Sequence, residues 1–285
     1  MLVLIPLLLA TPRPAAAAPV TGSAEGRPTW SELRFRARKA LVAEAEVVVT
    51  WVEDRRSVGR LRGELDASFH GRSTTDCLHE IGTGRLLEME YSRPRKRWRR
   101  WSVTDDTLVQ RSRRPASRRE RRRPRESWSD AREAEVDLPP DGTLVEGHLL
   151  LLLASRSEAE RDDLVVVRRR AVQAVAIEDA GEVTESVDVR LRWPTGEQRL
   201  RGSRVLRCRR LRPADEDTSL GLFGLDSAVE VLVEPTLGLP VEVRGKSSAL
   251  GKVRLRLREA TLHEAPPTSP NGPGAEAAPG HGRVP

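Results

Sequence analysis

Lysine, cysteine and long apolar runs are scarce in this chain, and each shortage narrows what it can be. There are four lysines against forty-five arginines. Arginine is therefore the default cation, and a cluster of it is a weaker sign of a binding site than it would be in a lysine-rich protein. The longest apolar run, Leu2–Ala10, has nine residues, too few to span a bilayer, so no transmembrane segment is expected. No cysteine follows that run, which argues against a lipid-anchored N-terminus. The only cysteines are Cys77 and Cys208. In an oxidising compartment they form one disulfide; otherwise they are two buried thiols.

Catalytic motifs are missing too. His79-Glu80 opens like a zinc-protease helix, but Thr83 stands where the second histidine belongs, and Gly82 would break the helix. Gly245-Lys246-Ser247-Ser248 has the look of the end of a phosphate loop, yet Pro240 occupies the place of the required glycine and a strand pattern follows Gly251. Ser227 lacks the flanking glycines of a nucleophile elbow. Asp162-Asp163 and Asp215-Glu216-Asp217 read as turn and solubility residues. There is no internal repeat. The chain reads as a non-enzyme with no cofactor and no metal.

What is present is period-two alternation. In Val229–Leu262, apolar residues at Val229, Val231 and Val233, at Leu239, Val241 and Val243, and at Val253, Leu255 and Leu257 alternate with polar ones. Side chains two apart in a strand share a face, so the segment is an antiparallel meander with one apolar and one charged face. Further strands are expected at Ala43–Val52, Leu61–Phe69, Gly84–Tyr91, Leu164–Val167, Ala171–Ile177, Val187–Trp193 and Glu197–Leu211. Leu144–Ser155 is the one good helix; its Leu149–Ala154 run is apolar all round and calls for deep cover.

The order of a strand ending in an acid, a turn, Leu239-Pro240-Val241 and Val243, then Leu250-Gly251, Val253, Leu255 and Leu257 resembles the C-terminal end of an uncharacterised family of bacterial envelope β-proteins. Leu33–Phe35 through Ala43–Val47 are loosely similar to that family's opening hairpin. The resemblance implies a fold akin to the periplasmic lipoprotein carriers, a curved sheet with a helical lid or plug, and it brings no catalytic residues.

Residues 1–18 read as a secretory signal without a basic start, with cleavage expected near Ala17. Residues 19–28 are a linker, 29–263 one β-rich domain, and the Pro- and Gly-rich 264–285 a disordered tail. Charge is concentrated in Arg93–Arg125, where fifteen basic residues face three acids; that window is +12 in a chain of net charge +7, so the rest is −5. Arg111–Arg125 has almost nothing to bury and is expected to be a mobile insertion.

The expected fold is mainly β, a curved antiparallel sheet or half-barrel with one or few helices. Such a sheet must cover its apolar face. Val47 and Val49 with Trp51, Val187, Val189, Leu191, Trp193, Val253, Leu255 and Leu257 are the candidates to line a ligand-binding concave face, and equally the candidates for an ordinary core. Arg95, Lys96, Arg97, Arg99 and Arg100 are the candidate anion-binding group. The two functions in view are an exported envelope domain, periplasmic or at the outer membrane, that binds lipid or an apolar partner segment, and a scaffold docking on an anionic envelope component in peripheral membrane contact. Export argues against nucleic acid as a partner.

Overall fold

The computed structural model describes residues 26–39, 43–68, 71–156, 160–168, 171–214, 220, 222–247 and 250–263. The expected signal, tail and Phe69 lie outside these residues. Seven antiparallel strands come first: β1 (Trp30–Lys39), β2 (Ala43–Arg55), β3 (Val58–Ala67), β4 (Gly71–Glu80), β5 (Leu86–Arg93), β6 (Arg97–Thr104) and β7 (Thr107–Arg114). After two short 3-10 turns come β8 (Asp130–Asp137), β9 (Thr143–Leu144) and the helix α1 (Gly147–Ala154). The chain ends with β10 (Arg161–Arg168), β11 (Ala171–Trp193), β12 (Gly196–Pro213), β13 (Asp226–Glu234), β14 (Leu239–Ser247) and β15 (Gly251–Leu262).

All fifteen strands belong to one curved sheet, running from β8 back through β1, across to β15, and on through β14 down to β9. The class expected from the sequence is the class observed. β15 also pairs in parallel with the end of β11, Arg190–Arg192 against Glu259–Thr261, which closes β11–β15 into a ring. Among the described residues no helix is long and apolar enough to cross a membrane.

α1 fills the concavity. Every residue from Gly147 to Ala154 is buried, as an all-round apolar helix requires. It is shorter than the Leu144–Ser155 expected, for two reasons. Thr143–Leu144 pairs with β10, and Glu146 caps the helix, its carboxylate accepting from His148 N at 2.8 Å. Arg156 staples the other end: its guanidinium donates to Gly82 O at 2.7 Å, Gly26 O at 2.9 Å and Ile81 O at 2.6 Å. Burial and the nearby Arg161 pull its pKa down to about 10, and the three carbonyls take the place of an acid.

The meander forms as expected, but its charged face is partly covered. Glu234 and Glu242 are buried, and so is Leu232. The long β11–β12 hairpin lies over this face, bound there by Arg244 donating to Glu185. Glu242 survives burial because Arg244 (2.5 Å) and Arg256 (3.1 Å) both donate to it. The turn after Glu234 forms because its carboxylate accepts from Leu237 N at 2.7 Å and Gly238 takes a φ of 58°.

Three further differences have local causes. Ala171–Ile177 and Val187–Trp193 are one strand, interrupted only by a bulge between Asp179 and Glu182. β4 is an extra strand with no hydrophobic alternation. Arg111–Arg125 is an ordered element of the fold: β7 runs to Arg114, and Glu120–Arg122 and Arg125–Ser127 form the 3-10 turns. The anchor is Trp128, just past the expected boundary, which is buried and donates through Nε1 to Glu120 O at 2.9 Å.

Candidate functional site

Strand register sets the inner face of β2–β6. One cross-strand row is Trp51–Leu61–Cys77–Met89–Trp101, the next is Val49–Gly63–Thr75–Tyr91–Arg99, and the third begins Val47–Leu65–Ser73. Each row starts apolar on β2 and β3. The second and third turn polar on β4 at Thr75 and Ser73. A cavity of about 260 Å³ opens where they do. Leu65, Met89, Trp101, Val166, Val167 and Phe223 supply its apolar wall, while Ser73, Thr75, Tyr91, Arg97, Arg99, Glu146 and His148 supply polar groups.

The first turn of α1 forms one side of this cavity. His148 Nδ1 lies 3.0 Å from Glu146 Oε1 and 3.1 Å from Oε2. A donating Nδ1–H leaves Nε2 turned toward Gly63 on β3. A Cβ built at Gly63 would stand 2.2 Å from that nitrogen, so only glycine lets the imidazole reach the sheet. Phe223, at an uncommon positive φ of 52°, sets its ring edge-on to His148 at 5.3 Å and tilted against Phe35 at 6.0 Å.

Cys77 reaches the same cluster from β4. Its Sγ–H donates to Glu146 Oε2 at 3.6 Å. Burial, and then the Glu146 charge, push the thiol pKa well up. The carboxylate stands between thiol and imidazole, and no hydrogen bond links Cys77 to His148 among the described residues. The cluster is therefore a thiol held protonated, unlike the lowered pKa of a reactive cysteine. Cys77 and Cys208 are both free and buried. Of the two alternatives left by the sequence, the structure holds the thiols, because Cys77 faces Glu146 on β4 while Cys208 lies on β12.

Deeper along β4, Trp51 Nε1 donates to His79 Nε2 at 3.2 Å, and His79 Nδ1 lies 3.1 Å from Glu80 O. The imidazole is thus neutral with its proton on Nδ1. Burial lowers its pKa to about 4, against the weaker opposing hydrogen bond of the Glu80 carbonyl, with the Arg156 charge adding a smaller push downward.

The candidates named from the sequence separate into groups. Trp51, Val187, Val189, Leu191, Leu255 and Leu257 are buried in the core, and Trp193 and Val253 pack partly buried against it. None of the eight lines the 260 Å³ cavity; where apolar residues alternate cleanly, their own side chains fill the concave face. Arg97 and Arg99 do line it. Burial, then Arg114 nearby, lowers the Arg97 pKa. Arg100 faces outward and pairs with Glu88 at 2.6 Å. Arg95, at a φ of 59°, and Lys96 form the exposed turn between β5 and β6. Ser73, Thr75, Glu146, His148 and Phe223 escaped sequence reasoning. The available signal was the Ser73-x-Thr75-x-Cys77-x-His79 alternation, a strand pattern written in polar residues.

No family model and no curated protein matches the chain. Among solved structures it is similar to a beta-barrel-like protein of domain of unknown function DUF1849 from Brucella abortus. Identity is 7%, the TM-score is 0.44, and the match covers 84% of this chain and 99% of that one.

Proposed function

We propose that this protein is a non-enzymatic β-domain of the cell envelope that holds a compact amphiphile with an acidic head, such as a short acyl chain ending in a carboxylate, in the cavity beside α1. The observation that carries the reading is the lining: an apolar wall with two guanidiniums, Arg97 and Arg99, brought to it by a single strand. Arg97 makes no ion pair among the described residues, so it is available to an incoming anion. A guanidinium fork suits a carboxylate or phosphate and holds it through charge-assisted bonds. At about 260 Å³ the cavity sits just under the usual range of about 300–1,000 Å³ for small-molecule pockets, so it takes a short chain in preference to a whole diacyl lipid. Export through residues 1–18 belongs to the same reading and puts the domain in the periplasm or at the outer membrane.

The test is titration with a fluorescent fatty acid and with its uncharged alcohol analogue. The folded protein is expected to bind the acid saturably. Leu65→Trp is expected to abolish uptake by filling the cavity. Arg97→Gln is expected to weaken binding of the acid about ten- to a hundredfold, as loss of a charged hydrogen bond does, and to leave the alcohol unaffected. No saturable uptake by the intact protein, or unchanged uptake by a folded Leu65→Trp variant, would refute the proposal.

A further inference from the structure

Many arginines of the sheet are paired with an acid: Arg199 with Asp188 at 2.7 Å, Arg212 with Glu178 at 2.7 Å, Arg111 with Glu133 at 3.2 Å. The segment 116–129 instead gathers five cations within six residues. Arg118, Arg119, Arg121, Arg122 and Arg123 are all exposed. Among the described residues, the first four make no ion pair. Arg123 feels the field of Glu120, but that carboxylate is already occupied by Ala116 N at 2.9 Å, Ser129 N at 3.2 Å and Ser129 Oγ at 2.8 Å.

The cations sit on a knuckle that is held in place. Trp128 is buried beneath it and donates to Glu120 O. Arg125 donates to Glu90 Oε1 at 2.5 Å and lies 5.1 Å over the Trp98 ring. Trp98 points to the face opposite Arg97 and Arg99, so the knuckle rests on the outside of the strand whose inside lines the cavity. A pinned segment loses little conformational entropy when it binds, so more of the attraction between charges is kept.

We infer that this knuckle docks the protein on a bilayer surface rich in anionic phospholipid. A headgroup plane presents many phosphates close together, which suits a cluster of exposed guanidiniums within six residues. Single-stranded nucleic acid is the poorer fit. Such partners are gripped by stacking bases on open aromatic rings, whereas Trp128 is buried and Trp98 is covered by Arg125. This inference rests on the charge pattern and does not depend on the cavity being a binding site.

The experiment is co-sedimentation of the full chain with vesicles of phosphatidylcholine alone and of phosphatidylcholine mixed with phosphatidylglycerol, at low and at high salt. The protein is expected to bind only the mixed vesicles and to be released by salt. The combined variant Arg118→Ser, Arg119→Ser, Arg121→Ser, Arg122→Ser removes side chains that touch no acid, so its fold and melting temperature should be retained. Its partitioning is expected to fall about fivefold per guanidinium, or nearly three orders of magnitude in all. A control that removes four cations elsewhere (Arg56→Ser, Arg204→Ser, Lys246→Ser, Lys252→Ser) should keep most of the binding. Equal loss in the control would make net charge the cause and overturn the inference. So would equal binding to vesicles of phosphatidylcholine alone, or tighter binding of a single-stranded oligonucleotide than of mixed vesicles at the same salt.

Discussion

Acidification should destabilise this protein through His79 before its carboxylates titrate. The side chain is fully buried, and its pKa falls from 6.5 to about 4 in the fold. Protonating Nε2 would set an N–H against the Trp51 Nε1–H that it now accepts, on top of the cost of burying the charge. The unfolded chain takes up its proton near pH 6.5 and the folded chain only near 4. Between those values the unfolded state binds more protons, so stability falls as pH falls. The contribution is fully present above pH 6.5 and fully lost below about 4. At 1.36 kcal/mol per pH unit, the difference comes to about 3 kcal/mol, a large share of the roughly 5–15 kcal/mol that holds a domain together.

The assay is urea unfolding of the protein and of His79→Gln at steps from pH 7 to 4. The introduced glutamine can still accept from Trp51 through its side-chain carbonyl but does not titrate in this range. Glu64, Glu185 and Asp163, whose pKa values are lowered by hydrogen bonds from Arg72, Arg244 and Arg161, lose stabilisation at the acid end in both proteins and cancel in the difference. The gap between the two stability curves should therefore open progressively below pH 6.5. Parallel curves across that window would show that His79 takes up its proton without cost, and the buried neutral imidazole would be wrong.

Two further outcomes test the packing. Gly63→Ala should destabilise by about 1–3 kcal/mol as overpacking does, because the new Cβ meets the His148 ring at 2.2 Å; a raised melting temperature would mean that α1 does not press on β3 there. Leu255→Asp should unfold the domain, since Leu255 is 2% exposed and an unpaired buried carboxylate costs several kcal/mol. Lys252→Asp, on an exposed position of the same strand, should stay within about 0.5 kcal/mol. Arg256→Asp should fall between them, because it takes a cation from buried Glu242; equal losses for all three in thermal melts would show that the faces of β15 are misassigned.

Alternation of apolar side chains was enough to reveal β2, β3, β5 and the whole β13–β15 meander, because a half-buried strand has to repeat every two residues. The six-residue apolar run at Leu149–Ala154 was enough to reveal a covered helix, since no face of it suits water. The same rule hid β4. Its inward positions are Ser73, Thr75, Cys77 and His79, and nothing in a polar alternation says which side is buried until α1 and β3 are packed against it. It also drew attention to Trp51, Val189 and Leu255 as ligand-lining positions, when clean apolar alternation marks places where the sheet fills its own interior. Arg97 and Arg99 were visible as cations. That they face inward, while Arg100 pairs with Glu88 outside, depends on which face of the β5–β6 hairpin turns toward α1 and β10, elements far along the chain. The knuckle at 118–123 shows the same division: its charge is written in the residues, but its fixed position comes from Trp128 and Arg125 finding Glu120, Glu90 and Trp98. Local pattern determined which elements form, and long-range packing decided which polar side chains they bury together.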